Sequence, residues 1–172
     1  TFTLTGRIQE PVLTRSALST FLVAVHEAGH ELATEVVRGD IEKSAGISIV
    51  PGVTKIEDQW IRYAGIARRT PVKRIPTTRE AVISRMTVLV AGDLAQSLVV
   101  RGERGEAGKS NDYMRATALA SSAILRWGLS EAWGRQTMPD EMHEKEYLES
   151  LTEERRAVYH KEINSMIAEA EL

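Results

Sequence analysis

Apolar residues recur at helical spacing through most of this chain, and the exceptions are short. Leu22, Val25, Gly29, Ala33 and Val37 lie on one stripe of a first helix. Ser16 is a suitable N-cap for it, and Gly39 stands where a helix stop is expected. Gly46-Ile47-Ser48-Ile49-Val50 then reads as a short strand ended by the turn dipeptide Pro51-Gly52. A second strand is expected over Trp60 to Ala67, and the two pair as a small antiparallel unit. Thr77 with Glu80 three positions on forms a capping box for helix two, which runs through Val82, Met86, Leu89, Val90, Leu94 and Leu98 to Gly102. A loop rich in Gly and charge covers Glu103 to Lys109. Helix three starts near Ser110 or Asn111 and stops at Gly128, after Trp127. A loop with Gly134 and Pro139 precedes a last amphipathic helix capped by Thr152 and carrying Val158, Ile163 and Ile167. The expected fold is mainly α with a small β-sheet (α+β). Residues 1–12 form a linker or edge segment, 13–172 form one domain, and 138–172 are its helical tail.

Composition narrows the chemistry more than the fold. The chain has 172 residues, 42% hydrophobic and 27% charged, the balance of a soluble globular domain. A formal net charge of -2 gives no global reason to expect nucleic acid. There are no cysteines, so disulfides and thiolate metal sites are excluded, and any metal must use His, Asp or Glu. The longest apolar stretches, around Phe21–Val25 and Val88–Ala91, are too short to span a membrane, and no basic-then-apolar leader is present. The chain itself is therefore expected to be soluble.

The segment His26-Glu27-Ala28-Gly29-His30 carries the chemistry. Residues four apart on a helix share a face, so both imidazoles can reach one zinc ion. Glu27 projects beside them, placed to take a proton from water held on the metal and return it to a leaving amine. The apolar run Phe21-Leu22-Val23-Ala24-Val25 supplies the helical context that this short motif needs. A third ligand is required, and spacing leaves it open between Asp112, at the start of helix three, and Asp93, inside helix two. A carboxylate in a first turn has an independent reason to be there, in the helix dipole. Tyr63 and Tyr113 are available as oxyanion donors, although nothing in the sequence places them. His143 and His160 read as surface residues.

Four stretches in order make the pattern more specific. Val23 to His30 is followed by Ile47-Ser48-Ile49-Val50-Pro51. Then come Val90-Ala91-Gly92-Asp93-Leu94-Ala95-Gln96 and Ser110-Asn111-Asp112, with Arg115-Ala116-Thr117, Ala120, Gly128-Leu129-Ser130 and Gly134 behind. Together they resemble the peptidase domain of the FtsH-type AAA proteases, membrane-bound ATP-dependent zinc proteases, over roughly Leu13 to Gly134. The resemblance implies a zincin-type helical metalloprotease domain. It also implies one Zn2+ per chain on His26, His30 and Asp112, with Glu27 as acid/base. Ile47, Ser48, Ile49 and Val50 would be an edge strand that pairs with extended polypeptide substrates, holding them by main-chain bonds with little side-chain selectivity. It further implies an AAA ATPase module in cis or in trans, a homo-hexamer in the full-length setting, and a place on the cytoplasmic face of a membrane. No Gly-rich phosphate loop lies in this chain, so ATP acts only through a separate module.

There are departures from the family pattern. Asp93 and Gln96 stand where the family has arginine and glutamate in Gly-Gly-Arg-Ala-Ala-Glu, and Glu31 replaces the usual alanine. The stretch from Lys55 to Pro76 is unlike the usual loop and holds Arg62, Arg68, Arg69, Lys73 and Arg74, either a solvated loop or else a subunit contact or a site for acidic partners. Rival readings are a non-catalytic assembly or adaptor module, a standalone ATP-independent peptidase, an unrelated zincin using Asp93 or Glu106, and a helical interaction domain with a chance motif.

Overall fold

Helix α1 (Ala17–Arg38) begins where its cap dictates: the Ser16 hydroxyl accepts the Ser19 N–H at 3.1 Å. The computed structural model describes residues 15–56, 59–100, 109–140 and 142–172. Within these, α1 is followed by strands β1 (Glu42–Ser48), β2 (Gly52–Ile56), β3 (Gln59–Tyr63) and β4 (Ile66–Pro71). Helices α2 (Arg79–Val99), α3 (Lys109–Leu125), α4 (Glu144–Ser150) and α5 (Glu153–Ala170) complete the chain. The mainly helical fold with a small sheet is as expected. The segment 1–12, Gly102 and the loop 103–108 with Glu106 lie outside the described residues.

The chain forms two compact units. The first holds α1, the strands and α2 from Ala91 onward; the second holds α2 up to Val90 with α3, α4 and α5.

In the first unit α1 packs on β1 and β4, which pair antiparallel with Ser48 opposite Ile66 and Glu42 opposite Pro71. Gly46, at φ +111°, takes the left-handed conformation that shifts the register after Ser44. The expected second strand is in fact two. It breaks at Ala64-Gly65, and its first half pairs with β2 as a separate hairpin, Gly52 opposite Tyr63. Strand β1 also starts and ends earlier than expected, so Ile49 and Val50 fall beyond it. At the other end of α1, buried Arg38 donates to Glu42 at 2.7 and 3.1 Å, tying the helix to the first residue of β1.

The buried face of α1 differs from the apolar stripe the sequence suggests. Leu22, Glu27, His30, Thr34 and Arg38 are inside, whereas Val37, Leu32 and Val36 are exposed. Charged and polar residues are seldom buried without partners or a task.

In the second unit, packing follows apolar periodicity. Tyr159, Ile163, Met166 and Ala170 form the inner stripe of α5; Ala116, Ala120, Ala123 and Ile124 form that of α3. Val82, Met86 and Val90 are buried along α2, but Leu98 at its far end is exposed. The α2 cap is Thr78, not Thr77: its hydroxyl accepts the Ala81 N–H at 3.2 Å. Gly128, at φ +62°, ends the turn after α3 as expected, and Thr152 caps α5. Helix α4 lies within the expected helical tail, as a separate short helix before the one that Thr152 caps. Helix α2 is long and apolar enough to cross a membrane by length and composition alone, which the short apolar runs did not suggest. It carries Arg79, Glu80, Arg85 and Asp93, and a third of its most apolar window is buried.

Candidate metal centre

The spacing of His26 and His30 does what a helix should do with it. Their rings meet edge to face at 87°, centroids 4.5 Å apart, and the two Nε2 atoms approach to 3.0 Å. Two nitrogens bound to one tetrahedral zinc at about 2.0–2.1 Å would stand roughly 3.3 Å apart. The pair is thus already converged to within a few tenths of an ångström of that separation. Neutral imidazole nitrogens in a cysteine-free chain suit Zn2+, so the residues fit the metal.

Small residues hold this arrangement. A Cβ on Gly92 of α2 would lie 2.5–2.8 Å from three atoms of the His26 ring, so the imidazole rests directly on the α2 backbone. A Cβ on Gly29 would lie 2.5 Å from the Ala91 carbonyl oxygen and 2.7 Å from the Ala95 Cβ. Helices α1 and α2 therefore touch backbone to backbone at the level of the motif, which explains a mid-helix glycine that otherwise costs about 1 kcal/mol. One turn earlier, buried Gln96 donates its side-chain amide to the Leu22 carbonyl at 2.7 Å.

Glu27 is buried, 7% exposed. Its carboxylate packs on Gly65, where a Cβ would lie 2.7 Å from Oε1 and 2.8 Å from Cγ. Gly65 stands at the break between β3 and β4. The preceding carbonyl, of Ala64, accepts from Arg15 at 2.9 Å, and the same guanidinium reaches the Ile49 carbonyl at 3.5 Å. The Thr34 hydroxyl donates to the His30 carbonyl at 2.8 Å, extending the polar face of α1 by a turn.

Asp112 belongs to the second unit. It lies in the first turn of α3 and is buried, in line with Ala116, Ala120 and Ala123. A carboxylate placed only for the helix dipole would lie in solvent. Arg115, one turn on and largely exposed, comes within 3.8 Å of it. Asp93, the other candidate, is half-buried on α2. Ile47, Ile49 and Val50 are exposed, and Ser48 ends β1. Tyr113 donates its hydroxyl to Glu171 at 2.7 Å, and Tyr63 lies against Gly52. His143 and His160 are both exposed, as expected.

A helix with two converged imidazoles and a buried glutamate between them defines a metal-peptidase motif, and comparison of the whole sequence shows which one. Residues 14–171 match the model of peptidase family M41. The chain belongs to that family. M41 relatives are each called ATP-dependent zinc metalloprotease FtsH. The protein of Rhodothermus marinus is 29% identical over 148 residues, 80% of this chain and 20% of its own length. That of Photobacterium profundum is 34% identical over 112 residues, 64% of this chain and 15% of its own. FtsH 2 of Symbiobacterium thermophilum is 30% identical over 146 residues, 84% and 23%. The chain thus spans about a fifth of the length of these relatives, as an FtsH-type peptidase domain.

The sequence reading missed Arg15, Gly65 and the Gln96 anchor. An isolated glycine in a strand pattern signals close approach, and Gly65 is such a case. Nothing local announces what Arg15 and Gln96 bind, because both partners are backbone carbonyls far along the chain.

Proposed function

We propose that this domain hydrolyses peptide bonds with one zinc ion held by His26, His30 and Asp112. The observation that carries the reading is the 3.0 Å approach of the two histidine Nε2 atoms beside a buried glutamate. Zinc, when bound, lowers the pKa of water toward about 7 and polarises a carbonyl. The chain's own residues supply the rest. His26 is oriented by the Gly92 backbone, and His30 by its place one turn on. Glu27, pinned between α1 and Gly65, takes a proton from the attacking water and returns it to the leaving amine, a contribution of about 10²–10⁴ in rate. The names of the M41 relatives, ATP-dependent zinc metalloproteases, support a setting in which a separate ATPase module serves this domain; unfolded chains as substrate and a hexamer at the cytoplasmic face of a membrane extend that reading by the family resemblance alone.

Substrate would add to the small sheet as an extended strand. The segment Ile47–Val50 is one docking edge. The contact of Gly65 with Glu27 favours a second reading, in which substrate follows the edge of β4 that begins at Ile66. Proline at Ile47 or at Ala67 distinguishes them, because each removes one main-chain donor.

The deciding experiment is zinc content with casein degradation for wild type, Glu27→Gln, Asp112→Ala and Asp93→Ala. The expected result is near-stoichiometric zinc in wild type and Glu27→Gln, loss of zinc in Asp112→Ala alone, and activity only in wild type and Asp93→Ala. Full zinc affinity in Asp112→Ala would remove that ligand. A wild type that takes up no zinc would leave the assembly-module reading.

A further inference from the structure

Away from the metal motif, the second unit contains a groove of about 450 Å³ lined by Tyr113, Met114, Thr117, Ala118, Ser121, Glu144 and Tyr159. Its walls are mainly apolar, and Met114, Thr117 and Ala118 are exposed along one side. Its polar content is concentrated at one point. The Ser121 hydroxyl donates to Glu144 Oε1 at 2.7 Å, and the Tyr159 hydroxyl is shared between Ser121 Oγ at 3.1 Å and the same carboxylate oxygen at 3.3 Å. Ser121 and Tyr159 are both buried, and burial of Tyr159 pushes its phenol above the ordinary range, which keeps it a donor. Among the described residues no lysine or arginine forms an ion pair with Glu144.

The arrangement is unusual for a surface glutamate. Two hydroxyls from α3 and α5 fix one oxygen of the carboxylate, so its direction is set before anything binds. Among the described residues the carboxylate has no ion-pair partner, in a groove whose walls are methyl groups, a thioether and tyrosine rings. Such a site matches the side chain of lysine or arginine in outline: an aliphatic stem against Met114 and Ala118, and a cationic head on the carboxylate. The half-buried ring of Tyr113 adds an aromatic surface to the lining.

We propose that this groove binds a basic side chain, lysine or arginine, presented by an extended segment of another polypeptide, with Glu144 as the anchoring anion. The proposal does not depend on zinc or on peptide hydrolysis.

The test is a titration of the full ¹⁵N-labelled chain, followed by amide chemical shifts, with a short Ala/Gly peptide carrying one central lysine. Saturable shifts at Thr117, Ala118 and Glu144 are expected, and they weaken when NaCl rises because the contact is partly exposed. The same peptide with acetyl-lysine has the same length without the charge and should bind at least tenfold more weakly. Glu144→Gln keeps the hydrogen-bond acceptor and should also cost at least tenfold. Should that variant unfold, Ala118→Arg, on the exposed wall, places a guanidinium in the groove without touching the hydroxyls and should abolish binding. Equal binding of the lysine and acetyl-lysine peptides, or no saturable shift, overturns the proposal. If free n-butylamine binds as tightly as the peptide, a polypeptide partner is overturned in favour of a small-amine site.

Discussion

The inner faces of α1 and α5 are built on opposite principles. Helix α5 turns Tyr159, Ile163, Met166 and Ala170 inward, and its stability is that of apolar area removed from water. Helix α1 turns Glu27, His30, Thr34 and Arg38 inward while Leu18, Leu32 and Val36 stay exposed. Burying those polar groups costs stability unless each is given a partner. What holds α1 is therefore local and specific: Gly29 and Gly92 let α2 approach, and Gln96, Arg38 and Thr34 fix single atoms. One region is tolerant in detail and stable in bulk; the other is the reverse, as expected where polar groups are positioned for chemistry.

The sharpest way to break this contrast is to remove bulk from the second unit. Trp133 is 2% exposed, stacks beneath the Arg155 guanidinium at 4.0 Å and meets Tyr159 edge to face at 6.2 Å. Trp133→Ala is expected to cost about 3–5 kcal/mol, a fall in Tm of roughly 6–20 °C. Zinc affinity of the fraction that remains folded, measured by competition with a chelator, should be unchanged. A parallel loss of zinc affinity would mean that the contrast is false.

Gly29→Ala tests the other side. Alanine gains up to about 1 kcal/mol of helix propensity, but its methyl would meet the Ala91 carbonyl at 2.5 Å, an unyielding backbone atom. Overpacking of this kind costs about 1–3 kcal/mol. A net loss in urea unfolding is expected, and a net gain would show that α1 and α2 are less closely apposed.

Gly92→Ala sharpens the comparison further, because the obstructed group is the His26 ring rather than backbone. The ring can rotate away, so stability should change by under about 1 kcal/mol. Zinc affinity should fall about 10–100-fold, the usual effect of disturbing what orients a ligand. Trp133→Ala and Gly92→Ala would then dissociate stability from metal binding in opposite directions.

These contrasts also explain what could be read from the sequence. Ser16, Thr152 and Gly128 were legible because caps and stops are decided within a few residues. The histidine–glutamate motif was legible because a helix alone brings its parts together. The inner face of α1 was misjudged, since apolar periodicity locates a buried face only where burial is apolar. The strand over Trp60 to Ala67 reads as one because its break falls at Gly65, which packs on a carboxylate thirty-eight residues earlier, a contact no local pattern reveals. Helix α4 is seven residues long and turns no side chain fully inward, so periodicity had little to reveal.

The smallest effect concerns the surface of the second unit. Arg79 and Glu169 pair at 2.7 Å with both side chains over a third exposed, and the hydrogen bond from Arg79 lowers the Glu169 carboxyl below its ordinary value near 4.5. A depressed carboxyl pKa gives stability that is present above the unfolded-state value and is lost as pH falls through the folded-state value. A double-mutant cycle with Arg79→Ala and Glu169→Ala at pH 7 should therefore give a coupling of only about 0.2–1 kcal/mol, since solvent screens the pair. Repeated well below the ordinary carboxyl range, the coupling should vanish, because a protonated Glu169 no longer attracts the guanidinium. A coupling that survives acid would have to come from packing of the two side chains, which would place this pair with the bulk contacts of its unit rather than with its charges.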